Sequence, residues 1–106
     1  MDSMYRVELL TTAQHELDEI ASVHMNLVGP ISARKITDQI YNSLEKLEVF
    51  PDMGIECRDK YLAALGYRML ISGDYLCFYR LIGEIVYVYH IVDGRSDYPK
   101  LLSDLK

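Results

Sequence analysis

Apolar and polar positions alternate over "MYRVELL" (4–10), which predicts a short first strand. The period then lengthens. Thr11 and Gln14 have the spacing of a capping box, and Ala13, Leu17, Ile20, Ala21, His24, Leu27 and Val28 recur at three- and four-residue steps. That spacing gives one apolar helical stripe. Gly29-Pro30 stops the helix and presets the first position of another, whose stripe is Ala33, Ile36, Ile40, Leu44 and Leu47 and which "FPDMG" (50–54) ends. So short a connection predicts an antiparallel helical hairpin. The second half changes period again: "GYRMLIS", "YLCFYRLI" and "EIVYVYHIV" are β-rich runs separated by Gly73-Asp74 and Gly83-Glu84, the Gly-X pairs of type II′ hairpins. A three-stranded meander follows the helices. The stretch "IECRDKYLAAL" (55–65) fits either another strand or a structured loop.

Two-residue turns allow side-chain parity to be followed across the meander. Pairing Arg68 with Tyr79, Tyr79 with Val88 and Cys77 with His90 collects Met69, Ile71, Leu76, Phe78, Ile85, Tyr87, Tyr89 and Ile91 on one face. This apolar face is expected to receive the helical hairpin, with Arg80 the exception that snorkels to its edge. The other face collects Arg68, Tyr75, Cys77, Tyr79, Val86, Val88 and His90. A one-sided sheet leaves such a mixed face wet, and it needs no function there. The alternative is a shallow site of Arg68, Tyr79 and His90 rimmed by Arg95 and Tyr98, able to grip a phosphate, stack a base and move a proton. His15 and His24 stand isolated on the helices, with no partner spaced to help them.

Composition narrows this picture. The 106 residues suffice for one domain, 1–106, with a single packed core. No stretch approaches the roughly 20 apolar residues of a membrane span, and the N-terminus carries no export pattern, so a cytoplasmic protein is expected. Cys57 and Cys77 have neither metal-like nor redox spacing and read as two buried or idle thiols. The net charge is −5. Residues 1–53 hold 4 Lys/Arg against 9 Asp/Glu, whereas residues 54–106 hold 7 of each, so the whole acidic excess lies in the first half. That balance argues against a large nucleic-acid footprint.

"TTAQHELDEIASVHMN", "ARKITDQIYNSLEKLEVFPDMG", "LGYRMLISGDYLCFYRL" and "VYVYHIVDGRSDYPKLL", in that order, resemble the RelE/ParE toxin superfamily, also described as plasmid-stabilisation proteins. The likeness spans nearly the whole chain and is sharpest in the "GYR…Y…FYR" meander and the closing "GRSDYP". It implies an α+β fold with two helices on one face of an antiparallel sheet of about four strands, the N-terminal strand joining the meander. It also implies the toxin of a type II toxin–antitoxin pair, bound by a cognate antitoxin in a hetero-oligomer. RelE-like members cut mRNA in the ribosome, without metal or other cofactor, by letting the RNA's own 2′-hydroxyl attack the neighbouring phosphate. ParE-like members inhibit DNA gyrase and cut nothing. Carried over by position, Arg68 in "GYR" and Arg95 in "DGRSDY" match phosphate-binding arginines, and Tyr98 matches a C-terminal aromatic. His90 falls where some members keep an acid or base.

The expectation is therefore a ribosome-dependent mRNA endoribonuclease, with Arg68, His90, Arg95 and Tyr98 catalytic and Tyr79 and Tyr75 holding substrate. The alternatives are a gyrase inhibitor or an inactive interaction module of the same fold. The departure from the cutters is a small basic set, since Leu76 or Cys77 stands where a further arginine would help. The carboxylates Glu16, Asp18, Glu19, Asp38, Glu45 and Glu48 would suit a basic antitoxin segment.

Overall fold

A computed structural model describes residues 4–95. The elements run β1 (Arg6–Leu9), α1 (Thr11–Leu27), α2 (Pro30–Glu45), a 3₁₀ turn (Lys46–Glu48), β2 (Ile55–Glu56), α3 (Lys60–Ala64), β3 (Arg68–Ser72), β4 (Tyr75–Ile82) and β5 (Ile85–Asp93). The sheet order is β1-β5-β4-β3-β2, with β1 parallel to β5 and the other neighbours antiparallel. The expected α+β architecture is present. The ambiguous 55–65 stretch supplies both a two-residue strand and a short helix, α3, whose N-cap Asp59 accepts the N–H groups of Tyr61 and Leu62. The capping box does not form. Leu10 occupies the N-cap of α1 and Thr11 already lies inside the helix, so neither side chain caps it.

Both meander turns follow the Gly-X expectation. Gly73 (φ +59°) and Gly83 (φ +63°) take the left-handed first position, and no described non-glycine residue has positive φ, as type II′ geometry requires. Ser72 then faces Tyr75, and Ile82 faces Ile85.

The face assignment comes out reversed. The helical hairpin covers Leu70, Cys77, Tyr79, Val86, Val88 and Ile91, and these pack with Ala13, Leu17, Ile40, Leu44 and Leu47. The expected helix face instead carries a second cluster in which Cys57, Leu62 and Tyr67 cover Met69, Leu76, Phe78 and Val92. Two physical facts explain the inversion. A buried tyrosine is a large apolar body when its hydroxyl finds a partner, and a free cysteine packs as a small hydrophobe, so Tyr79 and Cys77 belong to a core rather than to a wet surface. The 57–67 segment supplies a second layer, so the sheet is buried on both faces over much of its area.

Parity also breaks along β5. Tyr79 pairs with Val88 as expected, but the register slips there and Phe78 pairs with His90. Tyr89 is the extra residue of this bulge. Ile91 consequently faces Cys77 and joins the helix-side core. His90 stands opposite Phe78 rather than Cys77. Arg80, expected at an edge, lies across two rings of the second layer. Its guanidinium carbon is 4.8 Å from the Tyr67 ring centre and 5.5 Å from that of Tyr89, and Nη2 donates to the Tyr89 hydroxyl at 3.1 Å.

Both cysteines are free and buried, as expected. Burial pushes the Cys77 thiol up to about 12, which keeps it protonated and inert. No described helix is long and apolar enough to cross a membrane.

Candidate functional site

The bulge and the short first strand together shape the outer edge of β5, where His90 lies. β1 pairs with β5 only over Ile85–Val88, so beyond Val88 no strand among the described residues lies beside the outer edge of β5. Helix α1 closes that gap. Glu16 Oε1 accepts the Ile91 backbone N–H at 3.1 Å, and the Glu16 carboxylate lies 3.1 and 3.3 Å from Nδ1 of His90. One carboxylate thus ends the sheet edge and fixes the histidine ring. Both side chains are mostly covered, at 26% and 15% exposure for Glu16 and His90.

A groove of about 370 Å³ opens beside this contact, between α1 and the far ends of β4 and β5. Glu16, Glu19, Ile20, Tyr75, Ile91 and Asp93 are among the residues that line it. At its mouth Arg95 folds back on Asp93. Nε and Nη2 donate to the two carboxylate oxygens at 3.0 and 2.8 Å, and the Arg95 backbone N–H adds a third bond at 2.8 Å. These bonds hold the Asp93 carboxyl down at about 2. The pair sits in water, with Arg95 85% exposed, so its contribution to the fold is small. The charge of Arg95 is spent on Asp93. Glu16 and Glu19 leave the groove acidic.

A carboxyl that titrates near 2 when folded and near roughly 3.9 when unfolded stabilises the fold fully above about pH 4. That stabilisation is lost as the pH falls from about 4 through 2. Asp93→Asn should therefore flatten the acid limb of a stability-versus-pH curve in this window and leave the neutral region nearly unchanged, as read by urea midpoints at several pH values. An unchanged acid limb would show that the pairing is absent in solution.

The remaining sequence-predicted residues lie elsewhere. Arg68 Nη1 donates to the backbone carbonyls of Gly54 (2.7 Å) and Asp52 (3.2 Å), and so pins the loop before β2. Tyr79 is fully buried in the helix-side core, where its hydroxyl accepts the Gly54 N–H at 2.9 Å. Arg68 and Tyr79 pair across β3 and β4 as expected and meet at Gly54, but no open surface forms with His90, because Tyr79 is buried under the helices and His90 is held at the α1 edge. Tyr98 lies outside the described residues. Tyr75 does border the groove, half-buried. Burial first, then Asp93 and Asp74, raises its phenol above the ordinary value, so it remains a hydrogen-bond donor.

Sequence reasoning passed over two participants. His24 has partners that no local spacing announces. Its Nε2 lies 3.1 Å from the Tyr75 hydroxyl and its Nδ1 3.3 Å from Ser32 Oγ, so the ring ties α1 to α2 and to the start of β4. Its place inside the apolar stripe of α1 was the available signal. Glu16 reads in sequence only as one of six carboxylates suited to a basic antitoxin segment, since its hydrogen-bond donors are an edge N–H and a ring seventy-odd residues away. Among the described residues no group of three or more His, Cys, Asp or Glu is placed to hold a metal ion.

Comparison with known proteins agrees with this architecture. The chain aligns over 85% of its length, and over 96% of the other chain, with a structure of the chromosomal ParDE toxin–antitoxin system from P. aeruginosa, at 21% identity and a TM-score of 0.72. It aligns over 88% of its length, and 94% of the other chain, with a structure of the RelBE2 toxin–antitoxin complex from Mycobacterium tuberculosis, at 18% identity and a TM-score of 0.57. No curated protein matches it. The family model described as the ParE toxin of the type II toxin–antitoxin system parDE matches residues 7–98. With that match covering most of the chain, the protein belongs to the ParE toxin family of type II toxin–antitoxin systems, within the RelE/ParE superfamily.

Proposed function

We propose that this toxin acts in the cytoplasm by holding a protein, with DNA gyrase as its target and a cognate antitoxin as its partner, and that it does not cut mRNA. The observation that carries this reading is that the described groups a cutter would need are each engaged within the fold. RNA cleavage by 2′-hydroxyl attack asks for a base, an acid and free positive charge within reach of one phosphate. Here Tyr79 is in the core, Arg68 is bonded to two loop carbonyls, His90 is fastened to Glu16, and Arg95 is bound to Asp93. The groove beside the Glu16–His90 contact is lined by carboxylates, which repel a phosphate backbone. The same acids favour a basic, extended antitoxin segment there.

The test is a supercoiling assay with purified gyrase and relaxed plasmid. The toxin should block supercoiling, the antitoxin should restore it, and His90→Gln should leave the inhibition within about threefold, since the ring is a structural group. Undisturbed supercoiling at saturating toxin would overturn the proposal and return the ribonuclease to first place.

A further inference from the structure

The chain is acidic, yet its acids are absent from one end. No Asp or Glu occurs between Glu19 and Asp38, a stretch that spans the second half of α1, the turn at Gly29 and the first two turns of α2. The charged residues that remain there are Arg34 and Lys35, both exposed. The apex between the helices is apolar and uncovered: Leu27 is 79% exposed, Val28 71% and Ile31 78%. Fully exposed aliphatic side chains are ordinary when scattered, but here three of them crown one protrusion with cations on its shoulder. A shallow hollow of about 400 Å³ lies beside the apex, lined by Val28, Pro30, Ile31 and Lys35.

The geometry points to this hairpin apex as the surface that engages the toxin's protein target, through an apolar pocket rimmed by carboxylates on that target. Charge complementarity selects the occupant. A cationic apolar knob fits an acidic rim, while the groove kept acidic by Glu16 and Glu19 fits a basic segment, so target and antitoxin would meet surfaces of opposite sign. The aliphatic side chains of the apex can be changed without unfolding the protein, because they face water and the hydrogen bonds of Val28 and Gly29 are made by their backbone.

This inference rests on the gyrase reading above, and the experiment separates the two. Wild type, Val28→Ser/Ile31→Ser and Arg34→Glu/Lys35→Glu are compared for gyrase inhibition, for antitoxin affinity and for thermal melting. Both double variants should melt with wild type and bind antitoxin equally well, yet need about tenfold or more toxin to inhibit gyrase, as loss of a central anchor does. Inhibition by the charge-reversed variant should also lose its dependence on salt. Inhibition by wild type and both variants at the same concentration would overturn the apex proposal and leave gyrase as target. No inhibition by wild type would overturn both. Loss of antitoxin affinity in step with inhibition would reassign the apex to the antitoxin. Co-sedimentation of wild type, but not the variants, with phosphatidylglycerol vesicles would reassign it to a membrane if gyrase inhibition is unaffected.

Discussion

Tyr79→Ala should destabilise the protein by about 3–5 kcal/mol, the range for removing a buried aromatic side chain. Tyr79 is fully buried between the sheet and the helical hairpin, among Leu70, Cys77 and Val88. The loss is a large share of the total stability of a domain this size and should lower Tm by about 10 °C or more. Tyr79→Phe isolates the hydroxyl. It leaves the ring in place but strands the Gly54 N–H, whose acceptor is the phenol oxygen at 2.9 Å, and should cost about 1–3 kcal/mol. Gly54 is matched to the same contact from the other side. A Cβ there would lie 2.7 Å from the Tyr79 hydroxyl oxygen and 2.9 Å from the Met69 carbonyl, so Gly54→Ala should destabilise as well. Urea unfolding followed by circular dichroism measures all three. If Tyr79 were instead a base-stacking surface residue, Tyr79→Ala would leave the midpoint nearly where it was and remove only activity.

Glu16→Ala should be the next largest loss, about 1.5–3 kcal/mol, the range for hydrogen bonds to a charged group. One carboxylate holds the Ile91 N–H and the His90 ring, and without it an edge N–H and a mostly covered imidazole lose their acceptor together. Glu16→Gln keeps one acceptor oxygen and should lose less than half as much. Hydrogen exchange at Ile91 gives the local readout: its amide should exchange markedly faster in Glu16→Ala, while amides of β3 keep their rates. Equal exchange at Ile91 in both proteins would contradict the assigned role.

These two residues also show where the sequence was legible. The periods of 3.6 and 2, the Gly29-Pro30 stop and the two Gly-X turns were enough for the hairpin, the meander and their order. They could not say which sheet face the helices cover, because both faces are apolar and a satisfied tyrosine looks polar in sequence. Counting Tyr79 and Cys77 as surface residues inverted the assignment. The bulge at Tyr89 then broke a parity that two correct turns had established, and moved Ile91 and His90 off their expected neighbours. The partners that matter most, Glu16 with His90 and His24 with Tyr75, are joined across the fold, where no spacing rule reaches. Arg68 and Arg95 are present where the resemblance expects them, but a resemblance by position does not report that one is bonded to loop carbonyls and the other to Asp93.

Primer extension on translated mRNA separates a toxin that binds its target, as proposed, from one that cuts RNA. After induction without antitoxin, growth should stop while the 5′ ends of an abundant translated message remain those of uninduced cells. New 5′ ends inside codons, present with the wild-type chain and absent with Arg95→Ala, would show a ribonuclease instead.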